Sequence, residues 1–150
     1  MVAASILGVV GDLPRIAKSA SMKPGYRYIY LTADFGGPAP GTEVPIGKFG
    51  DGMSLPQAAM FSALAKTDWK TGGVIRWQPE DGESCPCEPI FVQRSGAEDE
   101  DDGVVLTIVI NRKGTQSILI ALDGKTFKEV ARAHMPQVYA IAPHGTFVEE

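Results

Sequence analysis

Two histidines, two cysteines and a few clustered carboxylates carry the most specific chemistry in this 150-residue chain. His144 lies in Ala-Pro-His-Gly-Thr-Phe, where Pro143 fixes the preceding backbone and Gly145 allows close approach, so its imidazole is a candidate metal ligand. His134 follows the run Phe127–Ala133 and precedes Met135-Pro136, and reads as a surface imidazole. Cys85 and Cys87 flank Pro86. That C-x-C step is tighter than the C-x2-C step of zinc sites and has no second ligand pair nearby, so no zinc role is expected. With no other cysteine, the chain suits a reducing, intracellular setting, with the cytoplasm as the expected location.

Other familiar site patterns fail on spacing. Gly41 to Phe49 approaches a phosphate loop, but it has one residue too many between the glycines and Phe49 where a magnesium-binding hydroxyl is needed. No G-x-S-x-G is present to make a nucleophile elbow with His144 as base. Glu80, Asp81 and Glu83 cluster in a Gly/Pro-rich stretch and read as a solvated loop rather than paired catalytic carboxylates. The run Glu98-Asp99-Glu100-Asp101-Asp102 also reads as a solvated loop, kept out of the core by self-repulsion, because an uninterrupted acidic run does not space ligands around a calcium ion.

Composition bounds the rest. With 44% hydrophobic and 21% charged residues, the chain fits one soluble globular unit and not a collagen, a disulfide scaffold or a wholly disordered chain. The net charge of -4 and the lack of a Lys/Arg cluster remove the electrostatic footprint of nucleic-acid binding. Val2 to Val10 is apolar but shorter than the ~20 residues that span a bilayer, and no positive charge precedes it. It reads as a buried strand, so neither a signal peptide nor a transmembrane segment is expected.

The elements that must position these residues are β-like. Glycine and proline punctuate the chain into short runs: 26–31, 44–49, 74–78, 89–93, 104–110, 117–122, 127–133 and 138–142. Val104–Ile110 and Ser117–Leu122 are nearly continuous aliphatic stretches, which predicts strands covered on both faces. Phe127–Ala133 alternates, with Lys128, Val130 and Arg132 on one face and Phe127, Ala131 and Ala133 on the other, and belongs nearer an edge. Ser54-Leu-Pro-Gln57 has capping-box spacing and could open a helix running through Leu64.

A weak internal repeat organises the strands. Asp68-Trp-Lys-Thr71 recurs as Asp123-Gly-Lys-Thr126, each time between two apolar runs. An aspartate there accepts a backbone N–H two residues on, so D-x-K-T predicts a hairpin turn. Repeated hairpins suggest propeller blades. At roughly 40–50 residues per blade, and at least four blades per closed propeller, this length supplies about three and predicts part of a larger assembly.

The residues then meet a resemblance. Asp12-Leu-Pro-Arg-Ile16 and Lys23–Tyr30, then Trp77-Gln-Pro-Glu-Asp81, Cys87-Glu-Pro-Ile-Phe-Val92, the acidic run leading into Gly103-Val-Val-Leu106, Ala131-Arg-Ala133 and His144-Gly-Thr-Phe147 together resemble the C-terminal part of the carotenoid cleavage oxygenases. The resemblance extends, with gaps, from Asp12 to Phe147. It implies an all-β fold, the C-terminal blades of a seven-bladed β-propeller, with residues 1–150 a partial carotenoid oxygenase domain. It also implies a non-haem Fe(II) held by four histidines, of which the last matches His144.

By the same resemblance, Glu88 accepts a hydrogen bond from the iron-bound imidazole, and a second such glutamate is replaced here by Asp12, one methylene shorter. A metal-bound imidazole donates its other N–H to such a partner, and losing one typically costs ~10–100-fold in metal affinity or activity. Pro143 stands where the family pattern implies an aromatic residue. Three of the four histidines have no counterpart, so this chain by itself is expected to be inactive and to hold no stable iron.

The implied reaction is cleavage of a conjugated C=C bond of a carotenoid, apocarotenoid or stilbene-like substrate by O2 to give two carbonyl products. The implied partners are an apolar polyene and O2, with peripheral membrane contact and oligomeric state left open. A second reading, from a different class, is a non-catalytic β-rich remnant whose strand edges bind another chain by β-augmentation.

Overall fold

A computed structural model describes residues 9, 11–21, 24–33, 63–80, 83–84, 86–111, 114–139 and 144–148. Nine strands and one short 3-10 turn, Lys18–Ala20, make up its regular structure among these residues. The first sheet is an antiparallel meander of β1 (Gly11–Arg15), β2 (Tyr28–Ala33), β3 (Ala63–Asp68) and β4 (Gly73–Trp77) in sequential order. The second has β5 (Glu83–Ser84) and β6 (Ile90–Gln93) side by side along one edge of β7 (Gly103–Asn111), followed by β8 (Ser117–Asp123) and β9 (Glu129–His134). Since Glu83 pairs with Asn111 and Ile90 with Leu106, β5 and β6 act as one interrupted strand. Each sheet thus has four strand positions in the same up-and-down order.

Both D-x-K-T segments form the third hairpin of their sheet, as the turn chemistry predicts. Asp68 Oδ1 accepts the N–H of Lys70 at 3.0 Å, and Asp123 Oδ1 accepts the N–H of Thr126 at 2.7 Å and its hydroxyl at 2.8 Å. In each copy the next residue adopts a left-handed conformation, Gly72 at φ 76° and Phe127 at φ 58°. Its N–H returns to the first aspartate carbonyl at 2.8 Å in both cases. Glycine takes that conformation without steric cost, whereas Phe127 is almost fully buried and offsets the strain by packing.

The two sheets share one core. Tyr30, Leu64 and Trp77 from the first sheet cluster with Phe91, Val105, Val109, Ile118, Ile120, Leu122 and Phe127 from the second. Tyr30 stacks on Phe91 at 5.0 Å between ring centroids. Its hydroxyl is buried without a hydrogen-bond partner among the described residues.

Several expectations need correction. The described residues form two blade-like sheets; the third blade that the chain length predicts has no counterpart among them, and residues 34–62 lie outside the description. The expected strands at 2–10 and 44–49 fall largely or wholly on undescribed residues, as does most of the helix opening at Ser54. Its end, Ala63-Leu64, belongs instead to β3. Strands β7 and β8 are not covered on both faces: buried and half-buried residues alternate along them. β9 does lie at an edge, but it does not alternate as expected. Its two half-buried residues, Glu129 and Arg132, are three apart and bonded to each other, next to a register shift opposite Ala121 and Leu122.

Candidate functional site

The interruption between β5 and β6 delivers Glu88. Proline has no N–H to give to a ladder, so Pro86 and Pro89 keep this stretch from pairing as a continuous strand. It is nonetheless fastened to β7, with the Cys87 N–H donating to the Ile108 carbonyl at 2.9 Å and the Thr107 hydroxyl donating to the Cys87 carbonyl at 2.8 Å. Glu88, between the two, is 5% exposed.

A buried carboxylate must be satisfied at both oxygens, and Glu88 divides them between partners. Its Oε2 accepts from Arg15 Nη2 at 2.7 Å and from the Gly145 N–H at 3.0 Å. Its Oε1 faces His144 Nδ1 at 3.4 Å, a little beyond the ~3.2 Å of a well-formed N–H···O bond. Burial alone would push the Glu88 carboxyl upward, but the Arg15 guanidinium, the Gly145 N–H and His144 outweigh it and hold the group below its ordinary value. Glu88 therefore stays an anion that can take a ring N–H.

The His144 side chain is 72% exposed. With Nδ1 turned to the carboxylate, Nε2 is the nitrogen with a lone pair to offer. An apolar cavity of about 280 Å³ adjoins the ring, lined by Ile90, Leu106, Ile108, Leu119 and Phe147 among others. Among the described residues no three His, Cys, Asp or Glu side chains gather to hold a metal.

Asp12 does not join this group. It lies exposed on β1, where its carboxylate accepts the N–H of Leu13 at 2.7 Å. His134 is exposed at the end of β9, as its surroundings in the sequence predict.

Residues 3–149 match the family described as Retinal pigment epithelial membrane protein. This chain belongs to that family. Among its relatives, torulene dioxygenase of Fusarium fujikuroi is 33% identical over 135 residues, which are 90% of this chain and 20% of the relative. The β,β-carotene 15,15'-dioxygenase of Rattus norvegicus is 33% identical over 141 residues, 93% of this chain and 20% of the relative. The chain thus spans about a fifth of these relatives' length. The cobalt-substituted apocarotenoid oxygenase of Synechocystis superposes with a TM-score of 0.62 at 23% identity, over 87% of this chain and 24% of that one. The fold is accordingly the all-β propeller of the Retinal pigment epithelial membrane protein family, present here in part.

Within this member of the family, the acidic run is not the solvated loop its composition suggests. Glu100 accepts the backbone N–H groups of Arg27 and Tyr28, each at 2.9 Å. Asp101 Oδ2 binds Lys66 Nζ at 2.6 Å, and that buried ammonium also donates to the Gly124 carbonyl at 2.7 Å and sits over the Tyr28 ring. Asp99 and Asp102 pair with Lys125 and Arg94. Nor is Glu83 solvated: it is largely buried against Arg132 at 2.8 Å, and Glu80 binds the same guanidinium at 3.0 Å. The site residue not anticipated from sequence is Arg15. Its only signal was its place in the Asp12–Ile16 block.

Proposed function

We propose that this chain is part of a non-haem Fe(II) dioxygenase that cleaves a conjugated C=C bond of a polyene, both atoms of O2 ending in the two carbonyl products. The reading rests on one observation: His144 turns Nδ1 toward a buried anionic carboxylate, which leaves Nε2 as a donor atom. That is the arrangement of a metal-binding imidazole oriented from behind. A neutral imidazole suits iron, and with four such ligands room is left for dioxygen. Bound there, Fe(II) would supply the activation of O2.

The rest is work for this chain's own residues. Glu88 holds the His144 ring in one tautomer and one orientation, and Gly145 pins the backbone beside it through its N–H. The cavity of Ile90, Leu106, Ile108, Leu119 and Phe147 sets an apolar wall beside the ring and matches an apolar polyene. The remaining histidine ligands, and a counterpart for Asp12 to orient, belong to blades outside these 150 residues. The names of the two relatives, torulene dioxygenase and β,β-carotene 15,15'-dioxygenase, support a carotenoid as that polyene.

The test starts upstream of Met1. An in-frame extension with three further histidines, encoding a protein that with Fe(II) converts a C40 polyene to aldehydes or ketones, is the expected result. An authentic start with no such histidines, or an iron-loaded protein that leaves polyenes intact, contradicts the reading and favours a non-catalytic remnant.

A further inference from the structure

Arg15 reaches the site from the other sheet. Its Nη2 donates to Glu88 Oε2 at 2.7 Å and to the Gly145 carbonyl at 2.8 Å, so one guanidinium nitrogen ties the carboxylate to the backbone that carries His144. Charge-assisted bonds of this length are the stronger kind, and this one reaches a carboxylate that is 5% exposed. The guanidinium takes this position although its Nε is left buried with no partner among the described residues. Its placement therefore follows from Glu88 and Gly145 rather than from a best fit of its own donors.

The local backbone explains the aim. The β1–β2 register shifts between Asp12 and Arg15, and within that irregularity Leu13 is left-handed at φ 51°. Asp12 holds the kink from both sides of its residue: its carboxylate accepts the Leu13 N–H and its carbonyl accepts the Thr32 hydroxyl at 2.8 Å. Bulges of this kind re-aim a side chain near a site.

We propose that Arg15 is a positioning residue for the metal ligand. By occupying Oε2 of Glu88 together with the Gly145 N–H, it reserves Oε1 for His144 Nδ1 and so fixes the tautomer that exposes Nε2. The β1 kink built by Asp12 and Leu13 is the device that brings it there. This rests on the Glu88–His144 reading above and adds a third member to it.

Ring-nitrogen NMR of the 15N-labelled chain tests this without any metal. Recorded at pH 8.5, the ring 15N shifts distinguish the Nδ1–H form from the Nε2–H form directly. Wild type is expected to show His144 chiefly as the Nδ1–H form, with exposed His134 as an internal control. Arg15→Met should lower the Nδ1–H to Nε2–H ratio at least threefold, and Arg15→Lys, which keeps the charge on a stem one bond shorter, should recover part of it. Arg15→Gln gives the same reading if Arg15→Met loses its dispersed amide spectrum. Glu88→Gln separates the two claims. If it shifts the ratio and the Arg15 variants do not, the role of Arg15 is wrong while the Glu88–His144 pair stands. If Glu88→Gln leaves the ratio unchanged, the pair itself is wrong and Arg15 falls with it.

Discussion

Two carboxylates of the second sheet reach cations of the first, and they end in different circumstances. Asp101 meets Lys66 in a closed corner, where the ammonium is 4% exposed and also donates to the Gly124 and Lys125 carbonyls. Glu88 meets Arg15 in an open corner, where the Arg15 side chain is 41% exposed and the second oxygen is turned to a histidine whose far nitrogen has no partner among the described residues. The same cross-sheet device serves stability where every donor is used, and leaves room for chemistry where one is not. A buried ion pair alone is thus no sign of a functional site.

Breaking the closed corner should have the largest effect on folding. Asp101→Ala strands the Lys66 ammonium in the core and is expected to cost about 3–5 kcal/mol in chemical denaturation, whereas the Lys66→Met/Asp101→Ala double variant should cost less than either single change. A small loss for Asp101→Ala would mean that water reaches Lys66 and the corner is not closed.

The open corner should respond in binding instead. Glu88→Gln in the complete protein is expected to weaken metal affinity by ~10–100-fold, measured by chelator competition. Unchanged affinity would make Glu88 as purely architectural as Asp101.

Acid should also act locally there. Because the Arg15 guanidinium, the Gly145 N–H and His144 outweigh burial and lower the folded Glu88 value, its contribution is fully present above the ordinary glutamate value and is lost as pH falls through the folded value. The Gly145 amide resonance should therefore move with a midpoint below that of an ordinary glutamate; a midpoint at or above it would show that Arg15 and Gly145 do not hold the anion.

Between the two corners, Tyr30 offers the smallest change. Its hydroxyl has no partner among the described residues, so Tyr30→Phe should leave stability unchanged or raise it by up to ~1 kcal/mol. A loss larger than that would reveal a bond to the hydroxyl.

How much of this was legible in the sequence depended on the range of the interaction. The D-x-K-T turns were readable because an aspartate oxygen and the N–H groups it accepts lie within three residues of each other. Strands β7 and β8 announced themselves through β-branched runs. β3 did not, since Ala63-Leu-Ala65 favours helix and only burial between neighbouring strands overrides that preference. The acidic run was misread because its partners, Lys66 and the Arg27 and Tyr28 amides, are far away in sequence. Glu88 and His144 were named through a family pattern that carries their long-range pairing, which periodicity cannot show. Arg15 was missed because its aim depends on a backbone kink at Leu13.

The most direct measurement is iron content of the complete protein after desalting, wild type against His144→Ala. About one iron per wild-type chain and almost none in the folded variant is the expected result. A folded His144→Ala protein that keeps its iron would show that the ring faces Glu88 for structural reasons alone.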